Sequence, residues 1–431
     1  MKISSILGLN ARTQLFAYKY NTKRGKNIAD SKIQTARILK KAKVPHPKIY
    51  KKFMDPNDVF EFDWASLPDK FALKPSRGMG GEGIIVVKRR LKDGGWLTTQ
   101  KERIKIDDLR LHILDILEGA YSMGNVPDVA FVQEYVGRAK AFRRWAYRGT
   151  PDIRIIVFNK VPVMAMLRLP TKESGGRANL HQGAIGVGVD IATGITTKAI
   201  WHGEQIVFKP GTERKLRGIK IPSWTVILET AVKAQEVSHL VYVGVDIVLH
   251  PEKGPMVLEL NAQPGLQIQL ANTEGLKKRL ERVEDLDVRD AEHGVAIAKA
   301  IFAGRFENRK AVEEGIKTLK SLEEVKIYSF DKAKKARVLT RIDTGALRSS
   351  IDRRLAEDLG LMTSENILWK DRFEYRSASG REVRPVIGIQ YVIAGKKIKS
   401  TASVTDRSKM ATPFLMGRND MAGFLVNPNS E

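Results

Sequence analysis

The chain has no cysteine, which excludes disulfides, thiolate nucleophiles and thiolate metal ligands. It also lacks any apolar run long enough to span a bilayer. The few apolar residues ahead of Arg12 are too short for a secretory core. These absences agree with a cytoplasmic location and no membrane partner. Aromatic residues are sparse, at 7%, and do not interleave with the basic clusters. Finger, stacking-platform and arginine-rich-tail signatures are missing, so nucleic acid is not the expected partner. Acidic residues are few: 49 Asp and Glu face 74 Lys and Arg, a formal charge of +25. Residues 1–60 alone hold fourteen Lys or Arg against three Asp or Glu. Solvated helix faces and a site for a small polyanion account for this better than a nucleic-acid surface.

What is present describes a globular protein. At 431 residues and 42% hydrophobic content, two or three domains are expected. Residues 27–43 show helical spacing behind a cap at Asp30, and a strand–loop–strand unit occupies 71–90. Residues 104–120 read as helix and 129–136 as a buried strand. The stretch 151–170 reads as a hairpin turning at Asn159–Lys160, followed by a Gly-rich irregular stretch to Gly194. Helix is expected over 223–240, around 274–283 and over 290–303. Residues 304–336, rich in Lys and Glu, read as a connector, and beyond them the texture changes to short strand-like runs without His.

The most informative segment is 243–265, VGVDIVLHPEKGPMVLELNAQPG, read as two short strands joined by a Pro/Gly turn. A turn centred on Glu252–Lys253 places Asp246 opposite Glu259, with Asn261 on the same face as Glu259. Facing carboxylates need a cation between them. Two acids and an amide oxygen suit Mg²⁺; an ordinary surface hairpin with its acids on a wet face, or acids paired with Lys or Arg, is the competing reading. Lys74 precedes a loop containing Gly78, Gly80, Gly81 and Gly83, where backbone N–H groups are free to approach an anion. Arg154 and Arg168 lie within apolar strand runs, where each needs an acid, phosphate or carboxylate; Asp152 is an obvious partner for one of them.

In order and spacing, FALKPSRGMGGEGI, FVQEYV, DIRIIVFNKVPVMAMLRLP, GGRANLHQGA and VGVDIV…PMVLELNAQPGL resemble the ATP-grasp superfamily. The nearest resemblance is to α-L-glutamate ligases, and the N-terminal segments are similar to a sugar-transfer-associated subgroup. The resemblance implies an α+β chain whose residues 1–303, with 1–70 as a lead-in, form two α/β subdomains clamping ATP. Lys74 would bind phosphates under a lid of Gly78, Gly80, Gly81 and Gly83. Glu134 and Val136 would contact adenine, and Asp246, Glu259 and Asn261 would hold one or two Mg²⁺ ions, with Mn²⁺ as an alternative. Arg168, Arg177 and Asn179 would steady the γ-phosphate and an acyl phosphate. Many relatives carry a second ATP-binding lysine; Lys51 and Lys70 are the candidates here. The implied activity joins a small-molecule or peptide carboxylate to an amine. An ATP-gated binding protein is the alternative.

Residues 337–431 carry Asp343-Thr344-Gly345-Ala346 after an apolar strand and Phe414-Leu415-Met416-Gly417 later. This resembles a retropepsin-like aspartic protease barrel, of the group once labelled ATP-dependent zinc proteases. The tail has no Cys or His for a usual zinc site. One Asp343 cannot form a two-carboxylate dyad, so catalysis would need a homodimer, with the hairpin at Ser377–Gly380 as a flap.

Overall fold

The computed structural model describes residues 5–78, 80–302, 317–370, 374–377, 380–422 and 424–426. The chain divides into two compact units, Met1–Asp190 with Gly194–Asp285, and Leu286–Glu431 with Ile191–Thr193. No helix among the described residues is long and apolar enough to cross a membrane.

The first unit contains two antiparallel sheets. One comprises β1 (Ile49–Phe53), β2 (Phe71–Pro75), β3 (Ile85–Arg90), β4 (Trp96–Thr98), β5 (Arg103–Ile104) and β6 (Ala130–Glu134). Its spatial order is β1-β6-β2-β3-β4-β5. The helix Ile106–Leu117 buries Leu109, Ile113 and Ile116, spaced along one face, in a core with Phe53, Phe71 and Trp96. The second sheet comprises β7 (Asp152–Phe158), β8 (Val161–Leu169), β9 (Ile185–Val189), β10 (Thr196–Trp201), β11 (Glu204–Ile206), β12 (Tyr242–His250) and β13 (Gly254–Asn261). Here the order is β11-β10-β9-β8-β7-β12-β13. Every residue of β8 is buried. The helix Trp224–Val237 covers this region with Ile227, Leu228, Ala231 and Val232, and Phe16 meets Phe158 edge to face at 5.5 Å.

Several expectations shift in detail. Residues 27–43 are not one helix: Lys23–Ala29 and Lys32–Lys41 are separate, and the second is capped by Ser31, which accepts from the Gln34 N–H, rather than by Asp30. The Gly-rich stretch before Gly194 contains the buried strand β9, IGVGV. Its Gly188 is required by packing, because a Cβ there would lie 2.5 Å from the Ala271 carbonyl of the helix Gln267–Asn272. The hairpin β7–β8 turns at Asn159 and Lys160 as expected, both with positive φ.

In the second unit the helix Ala291–Ile301, capped by Asp290, packs on a barrel. The connector expected at 304–336 is partly strand from Lys317 onward: β14 (Lys317–Leu319) pairs with a strand near the end of the chain, and β15 (Leu322–Tyr328) and the start of β16 enter the barrel. The remaining strands are β16 (Lys335–Asp343), β17 (Ser349–Asp352), β18 (Ile367–Trp369), β19 (Glu374–Ser377), β20 (Gly380–Val383), β21 (Val386–Ile393), β22 (Lys396–Thr405), β23 (Phe414–Gly417) and β24 (Phe424–Val426). The order β15-β16-β23-β17-β22-β21 closes on itself through β15–β21, and β18 is added on β21. Val325, Ile327, Ile351, Tyr391, Val404 and Phe414 fill the interior. β19 and β20 form the separate hairpin expected as a flap, whose tip at 378–379 lies outside the described residues.

Candidate functional site

The hairpin β12–β13 reaches its expected register by an unexpected route. Its turn is Pro251–Lys253, with His250 opposite Gly254, so a regular ladder would place Asp246 opposite Leu258. A bulge between the Ile247–Val257 and Asp246–Glu259 pairs takes up Leu258 and returns Glu259 to face Asp246. Asn261 sits on the same face, its Nδ2 3.4 Å from Asp246 Oδ2.

On its other side β12 pairs with β7, and Asp246 faces Arg154. Arg154 donates to both Asp246 oxygens, Nε to Oδ1 at 2.7 Å and Nη2 to Oδ2 at 2.6 Å. Arg168 donates to Asp152 at 2.5 Å through Nε and Nη2, and its Nη2 also reaches Asp246 at 2.7 Å. Two arginines and two aspartates thus neutralise each other inside the sheet. Burial works against ionisation of Asp246, but the two guanidinium groups outweigh it and hold the carboxyl well below the usual range. Burial pushes Asp152 up to about 6, against the pull of Arg168.

Asp246 and Arg168 therefore stand in one buried ion-pair network. The expected metal ligand Asp246 has both oxygens occupied by arginine N–H groups. The expected γ-phosphate ligand Arg168 spends Nε and Nη2 on aspartates. Glu259 remains one-third exposed, with Arg154 Nη2 4.0 Å away. Its carboxylate and the Asn261 amide oxygen are the hard donors left on this face. Mg²⁺ fits such a set, because it keeps several waters and takes one or two protein oxygens plus phosphate oxygens.

Lys74 lies on β2, where its Nζ donates to Gln133 Oε1 on β6 at 2.8 Å. Burial and the nearby Lys32 lower its ammonium to about 8, with Glu259 pulling the other way. Lys32 opens the helix Lys32–Lys41, and its Nζ donates to the Gly78 carbonyl at 2.6 Å. That helix end is tied to the root of the Gly-rich loop: the Lys32 N–H donates to the Ser76 carbonyl at 3.0 Å, and the Ser31 and Ser76 hydroxyls are 2.9 Å apart.

The loop then runs over the segment that follows β8. Asn179 Nδ2 donates to the Gly80 carbonyl at 3.1 Å, and a Cβ on Gly81 would lie 3.5 Å from Arg177 Cδ. Gly83 accepts from His112 Nε2 at 2.9 Å. Its φ is +66°, and a Cβ would fall 2.6 Å from the Tyr121 ring, so glycine is required there. The structure thus brings Lys74, the glycines, Arg177 and Asn179 into one neighbourhood.

Glu134 ends β6 and is bound by Lys253 and, at 3.1 Å, by the Lys48 N–H. Burial would raise its carboxyl, but these partners and His250 hold it below the usual range. The Val136 side chain joins Val248 and Met256 in a small apolar cluster with Leu258 against it, and its carbonyl accepts from Thr150 Oγ1 at 2.8 Å. In the second unit Asp343 ends β16 beside Gly417 of the parallel strand β23. Asp343 Oδ1 accepts from the Gly345 and Ala346 N–H groups at 2.8 and 3.2 Å.

The family model of sugar-transfer-associated ATP-grasp proteins matches residues 11–285. The chain belongs to this ATP-grasp family. Its match runs from the helices around Lys32 to the end of the first unit, and so covers every residue of the Lys74–Glu259 neighbourhood. Among solved structures the chain is similar to the ATP-grasp ligase PsnB complexed with a minimal precursor, at 19% identity over 57% of this chain and 56% of that one, with a TM-score of 0.29. It is also similar to an L-amino acid ligase from Bacillus licheniformis, at 10% identity over 58% and 44% of the two chains, with a TM-score of 0.33. A third is the D-alanine–D-alanine ligase from Bacillus anthracis complexed with ATP, at 13% identity over 68% and 71%, with a TM-score of 0.34. The chain thus spans little more than half the length of PsnB. No curated protein matches it.

Within this ATP-grasp chain, sequence reasoning missed Lys32. The candidates Lys51 and Lys70 are elsewhere: Lys51 pairs with Asp58 at 2.8 Å, and Lys70 is exposed ahead of β2. A signal for Lys32 existed, because Ser31-Lys32-Ile33-Gln34 has the S-x-x-Q form of a helix start and places Lys32 at its first turn.

Proposed function

We propose that this protein is an ATP- and Mg²⁺-dependent carboxylate–amine ligase of the glutamate-ligase type. The observation that carries the reading is the convergence of Lys32 and Lys74 at the root of the Gly-rich loop. The ammonium of Lys74 is depressed by burial and then by Lys32, and a polyanion placed there would offset both. Lys32 and Lys74 bind the phosphate chain of ATP. Arg177 neutralises charge on the phosphoryl group as it passes to the substrate carboxylate. Asn179 holds the Gly80 end of the loop, which keeps water from the acyl phosphate until an amine displaces phosphate. Glu259 and Asn261 hold Mg²⁺, which when bound spreads the charge of the transferring group. Arg168 and Arg154 act one step back, by fixing Asp246 and the strand that presents Glu259. Adenine packs on the apolar cluster at Val136, with the backbone beyond Glu134 facing its edge.

For the second unit we propose a retropepsin-like peptidase that works as a homodimer, with Asp343 from each copy forming the dyad. The Asp343–Gly417 pairing at the end of parallel strands supports this reading. The two units together would make and trim one amide-linked product.

The test is incubation with ATP, Mg²⁺ and pooled amino acids, following phosphate release and product masses. Phosphate release that depends on both carboxylate and amine and is lost in Glu259→Gln is the expected result. ATP binding without such release would instead make the chain an ATP-gated binding protein, with the barrel as its dimerisation module. Product lengths unchanged by Asp343→Asn would remove the peptidase half alone.

A further inference from the structure

In the first unit a cleft of about 270 Å³ is lined by Leu180, His181, Ala184, Ile200, His202 and Gln267, among others. Both of its walls adjoin the neighbourhood already described. Leu180 follows Asn179, whose amide holds Gly80, and Gln267 opens the helix that follows the end of β13 at Asn261. Beside Gly80, Gln182 Oε1 is shielded from solvent and has no hydrogen-bond partner among the described residues. It is an acceptor that an N–H donor would satisfy.

His202 is held in an unusual way. It occupies the first position of the two-residue turn between β10 and β11, with φ +51°, followed by Gly203 with φ +83°. Asn-Gly is favoured in such a turn, and a histidine there is strained. Its ring packs on Trp201 with centroids 4.6 Å apart, and the Trp201 indole is anchored by donating to the Gly183 carbonyl at 2.9 Å. Its Nε2 lies 3.0 Å from the Glu173 carboxylate. The side chain is half exposed and lines the cleft, and its Nδ1 has no partner among the described residues.

We propose that this cleft receives the amine co-substrate and that His202, positioned by Glu173, is its general base. This rests on the ligase reading of the neighbouring site. The amine lone pair forms the C–N bond to the acyl carbon, and the C–O bond breaks with its electron pair leaving on phosphate. The surplus N–H proton passes to His202 Nδ1 and then to water. Leu180, Ala184 and Ile200 face the apolar part of the amine. The volume lies just below the usual range for drug-sized ligands, which selects a molecule of amino-acid size or the amino end of a peptide.

Hydroxylamine separates this inference from the reading beneath it, because it is unprotonated near neutral pH and captures an acyl phosphate without a base. The full chain is incubated with ATP, Mg²⁺ and pooled amino acids, with and without hydroxylamine, and hydroxamates and amides are quantified by mass. A general base contributes roughly 10²–10⁴-fold, so His202→Gln should lower the amide-to-hydroxamate ratio about a hundredfold. Glu173→Gln should lower the same ratio through kcat for the amine and not through its KM, because the imidazole loses the carboxylate that positions it. Glu173 is the charged group that faces His202, and His181 shares its cleft. A ratio unchanged in both variants would overturn the inference and leave the ligase standing. Absence of hydroxamate from the wild-type protein would overturn the ligase reading and the inference with it.

Discussion

Replacing Asp246 with Asn separates two roles that one carboxylate could have. In the folded protein Arg154 and Arg168 are largely buried, with side chains 13% and 11% exposed, and Asp246 receives three of their N–H groups. Asn keeps the shape and one acceptor oxygen but leaves two guanidinium groups facing the single charge of Asp152. Breaking a buried ion pair from one side costs about 3–5 kcal/mol. Glu259, 4.0 Å from Arg154, offers partial replacement, so the lower end, about 3 kcal/mol, is expected. At roughly 2–4 °C per kcal/mol for a unit of this size, the melting point should fall by about 6–12 °C. Tryptophan fluorescence reads the correct unit, because five of the six tryptophans lie before residue 286. Glu259→Gln should cost less than about 1 kcal/mol, because its contact with Arg154 is long and solvent-screened. An Asp246→Asn protein as stable as wild type but unable to respond to Mg²⁺ would refute this reasoning and make Asp246 a metal ligand.

Lys74 makes a pH prediction. Below pH 8 its folded-state ammonium is charged at a cost to folding; between 8 and 10.5 the unfolded chain binds more protons, so its contribution to stability rises with pH. ATP affinity should run the other way, flat below about pH 8 and falling up to tenfold per unit above it, as read by titration calorimetry from pH 6.5 to 9.5. Lys74→Met should raise the melting point while abolishing ATP binding; a lower melting point would contradict the burial cost. Gly83→Ala forces a Cβ into the Tyr121 ring at positive φ, costs about 1–3 kcal/mol of strain, and should slow amine-dependent phosphate release at least tenfold. Glu259→Gln removes a carboxylate near Lys74 and should tighten metal-free ATP binding while eliminating Mg²⁺-dependent turnover; equal loss of both would place Glu259 outside the metal site.

Much of this was readable because strand alternation and turn chemistry are local. Asn159-Lys160 turned where expected, and β2, β6 and the two-strand hairpin at Asp246 were legible from their apolar runs. The facing of Asp246 and Glu259 was legible only through two cancelling departures, a turn beginning at Pro251 and a bulge at Leu258. Neither leaves a clear mark in a sequence. β9 was hidden because Gly186 and Gly188 dilute its apolar pattern, and their reason is a long-range one, the close approach of Met166 and Ala271. β15 was legible in hindsight, since Val325 and Ile327 alternate inward, but the surrounding Lys and Glu masked it. Lys32 was lost for a similar cause. Its significance lies in meeting Gly78 and Lys74, a contact across the chain that no local pattern encodes.

The arginines in β7 and β8 show why residue type alone leaves part of the site open. An arginine inside an apolar strand needs an anion, and a phosphate satisfies that need as well as an aspartate does. Register brings both aspartates to them: Asp152 faces Arg168 and Asp246 faces Arg154 across adjacent strands. Their charges cancel, and the cluster contributes a rigid, neutral floor. Among the described residues, the charges at the loop outside this cluster are Lys32, Lys74 and Arg177, with Glu259 as the carboxylate acting on Lys74. Three cations and one acid leave an excess of positive charge, which a triphosphate with one divalent ion would neutralise. Specificity for a metal-bound nucleotide would then come from what the buried network leaves unpaired, and Asp246 serves it by keeping two arginines out of the count.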